Sequence, residues 1–117
     1  MLLADTSVWI GHFRHGRPAL AAHLSEGLVL MHPCIWGELA CGNLKHRAAI
    51  LSELKTLPSA TLATDTEVAE LIEARKLWGR GLGWIDAHLL TSALLSNCRF
   101  WTLDKKLGKA AADLGLI

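Results

Sequence analysis

The chain has 117 residues, about half of them apolar, which suffices for one domain with a buried core. Twelve lysines and arginines against 11 acids give a formal charge of +1, so no global field attracts nucleic acid or membrane, and any polyanion must be held by a local patch. Cys34, Cys41 and Cys98 form no CxxC pair, no leader-like segment opens the chain, and no uncharged apolar run approaches the roughly 18 to 20 residues needed to span a bilayer. These features predict a soluble, cytoplasmic protein.

In chain order, residues 1–4 read as a buried strand ending at Asp5 and 6–14 as a helix that Asp5, Thr6 or Ser7 is able to cap. A helix over 17–27 with Pro18 in its first turn leads to an apolar strand at 28–32. Pro33 opens a helix that Gly42 and Asn43 interrupt before a further helical run at about 44–56. "ATLAT", 60–64, is a weak strand candidate, and Asp65 is expected to cap a helix reaching about Trp78. "GRGLGW", 79–84, is a glycine-rich break, readable as a mobile rim. It lacks the lysine-hydroxyl ending of a phosphate loop. An apolar helix at 84–97, a strand at 98–103 and a helix over 105–115 follow, leaving only "GLI", 115–117, for a last strand. Strands separated by helices imply an α/β fold with a mainly parallel sheet.

Two strands thus end alike, "LLAD" at Asp5 and "WTLD" at Asp104. If they are neighbours at the topological switch point, both carboxylates point into one crevice, and Glu38 and Asp86, each alone in an apolar helix, are able to join them. Converging carboxylates repel unless a hard divalent cation, Mg2+ or Mn2+, neutralises them, and such a site hydrolyses phosphodiesters. The competing readings are helix caps for Asp5 and Asp104, a dipole partner for Asp86 and an exposed position for Glu38. Cys34, Glu38 and Cys41 share a helical face near His32, but their spacing matches no common zinc module. The tryptophans Trp9, Trp36, Trp78, Trp84 and Trp101 suit core or dimer-interface packing better than base stacking.

The segments "ADTSVWIGHF", "WGELACGNL", "WIDAHLL" and "TLDKKLGKAA", in that order across nearly the whole chain, resemble the motifs of PIN-domain ribonucleases of the VapC toxin type. The resemblance implies a single PIN-like domain over 1–117: a three-layer α/β/α sandwich around a mainly parallel sheet of about four or five strands. It also implies a metal-dependent endoribonuclease, the toxin of a type II toxin–antitoxin pair. Asp5, Glu38, Asp86 and Asp104 match the acidic metal-binding quartet, Thr102 the hydroxyl beside the last acid, and Thr6 and Ser7 the first motif's hydroxyl pair. Expected partners are a VapB-like antitoxin, a transfer or ribosomal RNA, and a second copy of the chain. Arg14, Lys45, Arg75, Arg80, Lys105 and Lys106 are the candidate RNA contacts. One alternative is a catalytically silent RNA- or protein-binding module. Another is a metal-dependent phosphatase, disfavoured because Ser7 stands where that chemistry needs a second acid.

Overall fold

A computed structural model describes residues 1–117. Its centre is a parallel sheet of three strands: β1 (Leu2–Ala4), β2 (Val29–Leu30) and β3 (Arg99–Trp101), in the order β2-β1-β3. β1 is buried along its whole length, which explains its unbroken apolar sequence. Leu3 pairs with Leu30 on one side and with Phe100 on the other. The chain passes from β1 to β2 and then crosses over β1 to reach β3, so the switch point lies between the carboxyl ends of β1 and β3.

Against an expectation of four or five strands, three are regular and each edge carries a remnant. Met31 N–H donates to Pro58 O at 2.8 Å, and Ala60 N–H to Met31 O at 2.9 Å, beside β2. Phe100 N–H donates to Leu116 O at 2.9 Å, beside β3. "GLI" therefore supplies a single pairing, because two or three residues are too few for a ladder. The strand expected at 60–64 does not form. Pairing is confined to the bridge between Met31 and Ser59, after which Thr61 N–H turns away to Ser96 Oγ at 2.8 Å.

Seven helices surround the sheet: α1 (Thr6–His15), α2 (Pro18–Ser25), α3 (Pro33–Cys41), α4 (Arg47–Leu54), α5 (Asp65–Arg75), α6 (Trp84–Leu95) and α7 (Lys105–Asp113). α1 packs on β1 and α3, whereas α6 packs on β3 and α5. The arrangement is the α/β/α sandwich expected. One cluster of 24 buried residues, including Leu3, Val8, Trp9, Leu90 and Leu107, forms the core.

Local chemistry moves several boundaries. α4 is shorter than the run at 44–56, since His46 takes a left-handed conformation at φ 53°. α5 ends at Arg75 rather than near Trp78 because Lys76 is also left-handed. Its cap is Thr64, not Asp65: Thr64 Oγ1 accepts from Glu67 N–H at 3.1 Å while Glu67 Oε1 accepts from Thr64 N–H at 2.9 Å. A hydroxyl with a glutamate three residues on satisfies two free amides at once, which Asp65 cannot match. The glycine-rich turn is docked rather than a free rim. Arg80 pairs with Asp113 at 2.8 Å, and the Lys106 stem lies where a Cβ on Gly81 would meet it at 2.8 Å. Gly81, at φ +76°, is thus favoured by its backbone, since the flexible lysine could move aside for a side chain.

Trp9 is in the core, but Trp78 and Trp84 are 58% and 48% exposed, so of the core or dimer-interface packing expected of the tryptophans these two do not take the core part. No helix is long and apolar enough to cross a membrane.

Candidate metal centre

β1 delivers Asp5 to the switch point. Its N–H donates to Trp101 O at 2.9 Å, which extends the β1–β3 pairing by one step and sets Asp5 level with the end of β3. The carboxylate is buried, at 7% exposure, and both its oxygens are occupied. Ser7 Oγ and Val8 N–H donate to Oδ1, and Thr102 Oγ1 donates to Oδ2. Asp5 is therefore a helix cap for α1, and also more than a cap, since Thr102 reaches it from another strand. Hydrogen bonds to the charged form offset the cost of burying it.

The two clamping hydroxyls are fixed in turn. Ser7 Oγ accepts from Leu103 N–H at 3.0 Å, and Thr102 Oγ1 accepts from Asp104 N–H at 3.1 Å. Asp104 itself caps α7, its Oδ1 accepting from Leu107 N–H at 2.9 Å. The relay from Asp5 through Thr102 to Asp104 couples the two strand ends, and Asp104 remains exposed to solvent. Asp86 sits in the first turn of α6, where its Oδ2 accepts from Gly83 N–H at 3.0 Å.

Glu38, from α3, completes the group. Its side chain reaches solvent, yet its carboxyl is partly shielded, and this desolvation first, then the negative charges of Asp86 and Asp5, hold its pKa above the ordinary glutamate value. Thr6 works in the opposite direction, favouring the ionised form. Thr6 Oγ1 stops short of hydrogen-bond geometry, being shut off from solvent without a protein partner. The structure thus brings Glu38 into the field of Asp5 and Asp86, whereas Asp104 is linked to Thr102 only through its main-chain N–H and its carboxylate caps α7.

This set fits a divalent cation. All donors are oxygens, as hard cations require, and mutual repulsion at Glu38 is what a cation would relieve. No three acidic, histidine or cysteine side chains close on a common point as a ready-made chelate, so a bound ion would retain several waters, the usual habit of Mg2+. The same observation excludes a preformed zinc site at Cys34, Glu38 and Cys41. Partial burial and then Glu38 raise the Cys34 thiol further from the thiolate that zinc needs.

The repulsion has a pH signature. Below the ordinary glutamate value, folded and unfolded chains both hold the Glu38 proton and no penalty exists. As pH rises through the raised folded value, the folded chain must carry the charge, and stability is lost. Without metal, Glu38→Gln is therefore expected to raise the melting temperature at pH 7 but not at pH 4. Solvent screening should keep the gain under about 1 kcal/mol. Thermal denaturation in EDTA at both pH values checks this, and an equal shift at both would exclude a charge origin.

Comparison with known proteins shows the family. The family model described as PIN domain matches residues 2–113. The chain belongs to the PIN-domain family. It is 44% identical over 117 residues to a protein named Ribonuclease VapC32 in Mycobacterium tuberculosis, in strains CDC 1551 / Oshkosh and ATCC 25618 / H37Rv alike, covering 99% of this chain and 94% of that protein. This places it among PIN ribonucleases of the VapC type, whose members generally depend on divalent metal.

Within this PIN domain the candidate phosphate-binding cations divide. Arg80 pairs with Asp113, and Arg75 Nη2 donates to the Asp113 carbonyl at 3.0 Å, so both tie the segment before α6 to the end of α7. Nothing in the sequence singles out Asp113, because a pairing across more than thirty residues leaves no local pattern. The His88–Asp65 pair at 3.0 Å, linking α6 to α5, is hidden for the same reason.

Proposed function

We propose that the chain, acting as one domain over residues 1–117, is the toxin endoribonuclease of a type II toxin–antitoxin pair. The observation that carries the reading is Asp5 at the end of the central strand, held through both oxygens and close enough to Glu38 to raise its carboxyl pKa. Asp5, Glu38, Asp86 and Asp104 would hold Mg2+ or Mn2+, directly or through water. Such a cation would supply an activated water and stabilisation of charge developing on the phosphate.

The chain's own residues supply position. Ser7 and Thr102 aim the Asp5 carboxylate, while Thr6 offers an unpaired hydroxyl beside Glu38. Ser7 serves as a clamp rather than as a nucleophile, because its oxygen is engaged by both Asp5 and Leu103 N–H. Gly83 N–H anchors Asp86 in the first turn of α6.

The relative's name supports the RNA substrate and, by its VapC designation, a VapB-like antitoxin. A transfer or ribosomal RNA target, a homodimer and a cytoplasmic location complete the proposal. Exposed Trp84 and Ile85, on the turn that carries Asp86, are apolar surface that a second protein would cover.

Purified protein freed of antitoxin and incubated with total cellular RNA in Mg2+ or Mn2+ should produce discrete new ends that EDTA abolishes. The rival reading is a silent binding module. Folded protein that gives no cuts and binds no Mn2+ in titration would establish that rival instead.

A further inference from the structure

Of the six cations considered as RNA contacts, Arg75 and Arg80 are engaged by Asp113, Lys106 lies over Gly81, and Lys105 stands exposed at the start of α7. Arg14 and Lys45, far apart in sequence, form no ion pair, and both line a cleft of about 710 Å3 that also contains Glu38. One wall is α1 from its middle onward, with Ile10, Phe13 and Arg14. The other is the link from α3 to α4, with Leu44 and Lys45. Phe13 is half-buried and stacks on Trp9 with ring centres 5.7 Å apart, so its position is fixed.

The chemistry of the cleft is divided in a useful way. Glu38 is the one acid along it, whereas Arg14 and Lys45, with two histidines, bias it towards an anion. Arg14 by itself suits the negative end of the α1 dipole, but Lys45 lies in the 42–46 link outside both helices, where that explanation does not apply. An apolar, partly aromatic floor beneath unpaired cations matches a nucleotide, whose base needs a flat apolar surface and whose phosphate needs charge. The volume lies within the roughly 300 to 1,000 Å3 usual for small-ligand pockets. On the other side of the acids, the 79–83 turn is tied to α7 by the Arg80–Asp113 pair.

We propose that this cleft is a nucleotide subsite on one flank of the scissile phosphate. One unpaired ribonucleotide lays its base on the apolar floor, its phosphate is held between Arg14 and Lys45, and the strand reaches the reacting position at Glu38. This rests on the ribonuclease reading and adds that only one flank of the substrate must be unpaired.

Binding tests it independently of cleavage. The probe is a labelled, unpaired oligoribonucleotide, read by fluorescence anisotropy on the chain carrying Asp5→Asn. Adding Arg14→Ala and Lys45→Ala together should weaken Kd about tenfold or more and lower the slope of log Kd against log salt by about 0.7 for each phosphate that is no longer neutralised. Lys109→Ala, on exposed α7, should do neither. An abasic nucleotide on one flank should cost affinity with Arg14 and Lys45 present and little once both are alanine. A double variant indistinguishable from Lys109→Ala, or one that loses a protein inhibitor while keeping RNA, would overturn the subsite. If the wild type cleaves no RNA, the ribonuclease reading fails, while the anisotropy still decides for or against RNA in the cleft.

Discussion

Asp5→Asn is expected to lower RNA cleavage by at least about 10^3-fold while leaving the chain folded. The substitution removes one negative charge from the position where the β1 and β3 ends meet and replaces one carboxylate oxygen by an N–H donor. Geometry is largely preserved, because the remaining amide oxygen can still accept from Ser7 Oγ and Val8 N–H. The new amide faces Thr102 Oγ1, which must then accept from it as well as from Asp104 N–H and leave its own proton without the Asp5 oxygen. That mismatch costs on the order of 1 kcal/mol, far too little to unfold a domain of this size. Asp5→Ala differs: it removes the α1 cap and strands two hydroxyls, for about 2–4 kcal/mol. Cleavage and thermal melting measured on both variants separate the two effects. An Asp5→Asn protein that cuts RNA at the wild-type rate would remove Asp5 from the chemistry.

Leu3→Ala should be the most destabilising single truncation near the site, at about 3–4 kcal/mol. Leu3 has no solvent exposure and sits mid-way along the central strand, paired on both sides. Removing its branched side chain forfeits transfer energy and leaves a cavity that a doubly paired strand has little freedom to close. For a chain of this length, the melting temperature should fall by roughly 10–20 °C. Function is expected to follow stability here, because the same strand sets the height of Asp5 against Trp101. Urea unfolding of the variant checks the prediction, and a loss below about 1 kcal/mol would mean that β1 can shift to refill the space.

Much of the architecture is legible in the sequence because it rests on local chemistry. The apolar runs before Asp5 and Asp104, Pro18 and Pro33 in first turns, and the glycine break before Trp84 each act within a few residues, and the corresponding elements form. Expectation and structure part where two local signals compete. Thr64 takes the cap from Asp65 because Glu67 lies three residues beyond the hydroxyl. The 60–64 segment forms no strand because Met31, the one residue beside it that pairs, already lies past the end of β2.

For the site, the sequence by itself supplied only candidates: four acids, each in an apolar or strand-end setting where charge is costly, with hydroxyls beside two of them, which the family resemblance and not their spacing groups as a metal-binding quartet. Those residue types already pointed to a hard cation, since nothing else satisfies clustered carboxylates so readily. Tertiary structure alone decided how they are wired. It placed β1 beside β3, so that Thr102 reaches across to Asp5, and it brought α3 close enough for Glu38 to sense Asp5 and Asp86. It also drew Arg75 and Arg80 to Asp113 and left Arg14 and Lys45 free above a common cleft. The physical reason is range: caps, turns and strand ends are settled by neighbours in sequence, whereas charge pairing and clefts depend on which elements the buried core forces together.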